Sequence, residues 1–110
     1  MPYPPRYLEF VRLFNEKKFF EAHEILEAEW RETSGPLREF YQGLIQIAAA
    51  WVHRQKHNPI GAQNLFDKAG RHLAGYERKI LGLDWPALLE ASKRAGAFGE
   101  SPRIVLEQKN

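Results

Sequence analysis

The sequence predicts an all-α protein, a single-domain multihelical bundle of about five helices with an extended C-terminal tail. Three observations predict it. Apolar residues recur at helical spacing in one segment after another; proline, glycine, asparagine and aspartate separate those segments at helix-length intervals; and no alternating run is long enough for a convincing strand. With 110 residues, 44% of them hydrophobic and 13% aromatic, the chain can supply a core for one domain. The expected domain is residues 1–110, with its core at 5–96 and its tail at 97–110.

After the proline cluster, Tyr7, Phe10, Val11 and Phe14 share a helical face, so the first helix is expected from Pro5 to Asn15. The second spans Lys18 to Glu32. Thr33, Ser34, Gly35 and Pro36 form a turn signal, with Ser34 or Gly35 as cap and Pro36 at the first position of a third helix reaching Lys56. The apolar arc of that helix covers more than half its circumference, from Tyr41, Leu44 and Ile45 through Phe40, Ile47, Ala48 and Trp51 to Ala50, which predicts a central position. Asn58 and Pro59 repeat the cap-then-proline pattern, and Ala62, Leu65, Phe66, Ala69, Leu73, Tyr76 and Ile80 extend a fourth helical face. Gly82 to Pro86 marks a break, and Asp84 is the expected cap of a fifth helix through Leu88, Leu89 and Ala95. Beyond Gly96, the proline-bounded Ser101–Leu106 stretch is expected to lie extended along the bundle.

Charge and composition exclude several function classes. The net charge of +2 comes from singly scattered basic residues, which argues against a dedicated nucleic-acid surface. The chain has no cysteine, so disulfides, thiolate ligands and thiol nucleophiles are absent together, as suits a cytoplasmic protein. No apolar run approaches a membrane span, and Met1 to Pro5 lacks the basic region and apolar core of a signal peptide; a soluble, unprocessed protein is expected. A homodimer built on an apolar patch around Trp51 or Trp85 is one possible assembly.

The residues that stand out are His23 and Glu27, polar groups on the apolar face of the second helix. At about 100° per residue, Glu27 lies about 40° and Trp30 about 20° from His23, with Phe19, Phe20 and Leu26 in the same arc. A buried carboxylate beside an imidazole is costly unless it is paired, metal-bound or open to a pocket. The pair therefore reads as a site or a structural lock. On the third helix, Arg38, Glu39, Gln42, Gln46, Ala49 and His53 form a narrow stripe. That stripe is either a solvated edge or the face turned toward His23 and Glu27; an antiparallel hairpin across Gly35 and Pro36 would bring Gln42 and Gln46 nearest, with His53 further along.

His23, Glu27 and Trp30, followed by Gly43 to Ala48, His53, Asn58, Gly61 and Ala62, resemble the domain-of-unknown-function family 309, from Tyr7 to the region of Ile80. The family signature, a histidine, three residues, a glutamate, two residues and a tryptophan or tyrosine, stands intact. The resemblance implies a helical fold and a metal-binding role for the signature, without an activity. One departure is His57, where the family pattern has glycine before Asn58; histidine tolerates the left-handed conformation needed there, so the turn should survive.

A zinc or manganese site needs three or more ligands as a rule, and His23 with Glu27 supplies two. His53 is the suitable third, with Trp30, Gln42 and Gln46 as supporting groups. The zinc-peptidase pattern would need a second histidine where Glu27 stands, and the di-iron pattern a glutamate where Phe20 stands, so both are rejected. His72, on the fourth helix's apolar face, reads as a hydrogen-bonded core residue rather than a ligand. Glu27 with His23 could also serve as acid and base, although no nucleophilic serine or phosphate loop accompanies them. The structural alternative has Glu27 accepting from His23 or Trp30 and fixing the hairpin. A last reading is a helical interaction module: Ala22 and Ala62 lie about one hairpin repeat apart, as in a degenerate tetratricopeptide-like pair. A closed pocket joining His23, Glu27 and His53 favours a site; an open groove with exposed aromatics favours the module.

Overall fold

The computed structural model describes residues 3–96 and 98–107. Met1 and Pro2 of the N-terminal reading, and residues 97 and 108–110 of the expected tail, lie outside the described residues. Helix α1 (Pro5–Asn15) starts at the proline that presets its first turn, and α2 (Phe19–Arg31) follows a tight turn in which Lys17 takes φ 63°. Gly35, at φ 79°, precedes α3 (Pro36–Gln55), and His57 reverses the chain at φ 59° before α4 (Pro59–Leu73). The left-handed turn expected at His57 is therefore present. Asn58 Oδ1 accepts from the Gly61 amide at 3.1 Å, and Asp84 Oδ1 accepts from Ala87 at 3.0 Å to start α5 (Trp85–Ala95).

The fourth helix ends seven residues before the expected Ile80. Tyr76 and Ile80 keep the apolar spacing, but the chain leaves the helix at Leu73 and forms a short antiparallel hairpin, β1 (Lys79–Ile80) and β2 (Leu83–Asp84). Its turn residues Leu81 and Gly82 have φ 50° and 74°, the two positive values of a type I′ turn. Two residues per strand leave no periodicity to read.

As expected, α3 runs through the centre. Phe40, Tyr41, Leu44, Ile47, Ala48, Ala50 and Trp51 are all buried, against α2 on one side and α4 on another. Gly43 sets the closest approach to α4, because a methyl group there would meet Leu73 Cγ at 2.5 Å. An aromatic chain crosses the core: Phe14 packs edge-on to Phe19 at 5.0 Å, Phe19 stacks on Trp51 at 5.6 Å, and Trp51 meets Phe66 edge-on at 6.1 Å. Trp51 is only 3% exposed.

α5 is tied to this core through a polar contact. Trp51 Nε1 donates to the fully buried Ser92 Oγ at 3.1 Å. Replacing Ser92 by alanine leaves that indole N–H buried without an acceptor, and urea unfolding should show a loss of about 1–3 kcal/mol.

Among the described tail residues, 98–99 turn beside the end of α5 and 101–107 carry no helix or strand but are held by hydrogen bonds. Asn15 binds Ile104 through both its amide groups, donating to the carbonyl at 2.9 Å and accepting from the N–H at 2.7 Å. Glu107 N–H donates to the Gly82 carbonyl at 2.8 Å, and Tyr3 donates to the Glu107 carbonyl at 2.7 Å. Among the described residues, no helix is long and apolar enough to cross a membrane.

Candidate functional site

α2 and α3 form the antiparallel hairpin that the Gly35–Pro36 turn implies, and their facing sides decide where the polar residues go. His23 lies half-buried on α2 with its ring stacked on Phe20, centroids 6.0 Å apart. Across from it, Ala49, Val52, His53 and Lys56 of α3 complete a shallow depression of about 180 Å³ with Phe20 at its rim. The structure thus places His23 and His53 on one concave surface, together with Lys56, which the sequence reading had not singled out.

Glu27 takes a different course. Its carboxylate accepts from Arg31 Nη2 at 2.9 Å, one helical turn further along α2, and the side chain is partly exposed. It bonds to neither His23 nor Trp30: His23 Nδ1 and Trp30 Nε1 are both buried without a hydrogen-bond partner. The hairpin lock considered from the sequence is not made through Glu27, because Arg31 satisfies the carboxylate nearer the surface. Trp30 is instead covered by the Arg38 guanidinium, 3.9 Å from the ring centroid, which also donates to the Trp30 and Thr33 carbonyls at 3.0 and 3.1 Å.

The glutamines of the α3 stripe divide as well. Gln42 is half-buried. Gln46 turns toward α4, where its Oε1 lies 2.9 Å from His72 Nδ1, while His72 Nε2 lies 3.3 Å from Glu39. His72 is hydrogen-bonded as its position suggested and joins α3 to α4, but it is a third exposed rather than a core residue, because its partners Gln46 and Glu39 lie along the edge of α3.

The most informative detail is at His53. Asn58 caps α4 with its oxygen, so its Nδ2 must face the other way, and it lies 3.0 Å from His53 Nδ1. An amide nitrogen only donates, so Nδ1 accepts and the proton of neutral His53 sits on Nε2. Gly61 permits this approach, since a methyl group there would come within 2.6 Å of Asn58 Nδ2 and 2.9 Å of His53 Nδ1. The helix cap therefore leaves neutral His53, which lines the depression, with Nε2–H as its free donor.

That arrangement does not fit the metal implied by the family signature. A metal needs the imidazole lone pair that His53 gives to Asn58, Glu27 is held by Arg31, and Lys56 adds positive charge at the same surface. Among the described residues, no three histidines, cysteines, aspartates or glutamates gather to hold an ion. Sequence reasoning missed the contact between Asn58 and His53, although the cap and the left-handed His57 that create it were both legible.

Comparison with known proteins gives the relationship. The family model described as "Domain of unknown function (DUF309)" matches residues 7–65, a span that holds His23, Glu27, His53 and Asn58. A Bacillus subtilis (strain 168) protein, "Uncharacterized protein YpuF", is 37% identical over 92 residues, covering 80% of this chain and 53% of that protein. The chain thus spans about half the length of this curated relative. More than half of the sequence lies inside the family match, and the chain belongs to the DUF309 family.

Proposed function

We propose that the depression between α2 and α3 binds a small ligand through an oxygen-bearing anionic group, such as a phosphate or carboxylate. The observation that supports this reading is the fixed tautomer of His53, whose Nε2–H is free to donate while Nδ1 is held by Asn58. Lys56 supplies positive charge at the same surface, and His23, whose Nδ1 is enclosed, has Nε2 left to meet a ligand. The lining contains no carboxylate that would oppose an anion.

The test uses inorganic phosphate and zinc as separate probes, followed through the ring nitrogens of the labelled histidines. Neutral His53 should carry its proton on Nε2, and phosphate should shift His23 and His53 together, a response lost in His53→Phe. Asn58→Asp keeps a capping oxygen but accepts at His53 Nδ1, so it should weaken phosphate binding and strengthen zinc binding. Stoichiometric zinc uptake by the wild-type protein through His23 and His53 would replace the anion with a metal. An interaction-module reading has its own support, the open shape of the depression and the 54% exposure of Phe20 at its rim. Silence to both probes would favour it.

A further inference from the structure

On the other flank of the α3 C-terminus, Arg54 is a partly buried cation without an anion. Its guanidinium lies 4.7 Å from the ring centroids of both Trp51 and Phe66, and one of its nitrogens, Nη1, donates to the Ser92 carbonyl. No carboxylate pairs with it among the described residues, a state it shares with Arg38, Arg71 and Arg103, but Arg54 also lies against two rings and lines two clefts. A guanidinium carries five N–H donors, and none of the remaining Arg54 nitrogens is sealed in the core. Burial lowers its affinity for its own proton, the sign of a charge that has lost water without gaining a partner.

Arg54 opens into two adjoining clefts of about 300 and 260 Å³, and His57 and Phe98 line both. The larger is walled by Phe19 and Trp51, with Lys17 and Glu100 at its mouth. Those two neutralise each other across 3.3 Å, so Arg54 dominates the local charge. Phe98 is 92% exposed, a ring held in water beside an unpaired guanidinium. A planar fork of donors beside the exposed Phe98 ring describes one ligand chemistry, since the fork matches a carboxylate and the ring matches a flat apolar body.

We infer that the cleft between the α3–α4 turn and the 98–101 segment is a binding site for a small aromatic carboxylate, with Arg54 taking the carboxylate and Phe98 covering the ring. This site is separate from the His23–His53 depression, and each stands or falls without the other. The structural account of Arg54, a cation stacked on two aromatic rings and bonded to one carbonyl, explains its stem and one nitrogen; it leaves the other donors and the exposed Phe98 ring unexplained.

The experiment is calorimetric titration of the full chain with naphthoate, and with naphthylmethanol and naphthylmethylammonium as neutral and cationic controls. Naphthoate should bind and the two controls should not. Arg54→Met keeps the apolar stem over Trp51 and should weaken naphthoate on the order of tenfold to a hundredfold, as for loss of a charge-assisted hydrogen bond. Phe98→Ala alters an exposed ring, so it should leave the thermal midpoint unchanged and still weaken binding several-fold. Equal binding of the neutral control, unchanged affinity in Phe98→Ala, or no heat with naphthoate at millimolar concentration would each overturn the assignment.

Discussion

Leu73→Ala should lower the unfolding free energy by about 2–5 kcal/mol, and adding Gly43→Ala should then cost less than it does in the wild-type protein. Leu73 is fully buried at the end of α4, and its branch point fills the space that a side chain on Gly43 would need. In the wild-type background, Gly43→Ala gains up to about 1 kcal/mol of helix propensity but forces Leu73 off its rotamer or α4 away from α3, at about 1–3 kcal/mol. The clash is the larger effect because Leu73 has no solvent-facing side to retreat to. Truncating Leu73 removes the obstacle, so the propensity gain survives in the double variant. Urea unfolding of the four proteins measures the cycle, and strict additivity would show that α3 and α4 adjust independently at this crossing.

Alkaline pH should unfold the protein through its buried tyrosines. Burial pushes the Tyr41 phenol up to about 12, helped by the negative charge of Glu29, and burial raises Tyr7 above its ordinary value as well. Tyr41 is 1% exposed and its hydroxyl has no partner, whereas the Tyr7 hydroxyl donates to the Leu81 carbonyl at 3.0 Å. Both folded-state values lie above that of an unfolded tyrosine, about 10, so the native state favours the neutral phenol. The Tyr41 contribution, about 3 kcal/mol, is complete below about pH 10 and is lost as the pH rises toward 12, and that of the more strongly raised Tyr7 is lost at higher pH. The urea midpoint should fall across that interval, and phenolate absorbance should appear with unfolding rather than before it. Tyr41→Phe should flatten the slope and leave stability near neutral pH equal or slightly higher, because it deletes a buried hydroxyl that bonds to nothing. An unchanged slope in that variant would locate the alkaline sensitivity elsewhere.

Helix starts were the most legible part of the fold. Pro5, Pro36 and Pro59 each occupy a position where proline presets the helix, and Asn58 and Asp84 cap with their side chains as their sequence positions imply. The ends of α1, α2, α3 and α5 also fell within one residue of expectation, and the end of α4 did not. Tyr76 continues the apolar face of α4 on paper, but it is anchored by its hydroxyl to the Pro36 carbonyl across the bundle, a tertiary bond with no local signal. In the candidate site, the wheel brought His23 and His53 to facing helices. It did not choose partners: Glu27 pairs with Arg31 one turn along its own helix, and Gln46 reaches His72 on a helix that the hairpin argument did not include. The tautomer of His53 depends on a residue five positions away, brought beneath the last turn of α3 by a single left-handed residue. That relation is local in space but has no periodicity, so pattern reading passes over it.

The fixing of residues 104–107 also joins segments far apart in the sequence. Tyr3 holds Glu107, Glu107 holds the Gly82 turn, and Asn15 holds Ile104, so the segments before α1 and after α5 share one seam with the β hairpin. The helical hairpins can assemble from near neighbours in sequence, whereas this seam joins residues 89 and 104 positions apart and forms only once the helices have set their spacing. The segment around Tyr3 and the segment 104–107 are therefore thermodynamically coupled: loosening either one releases the lock on the other.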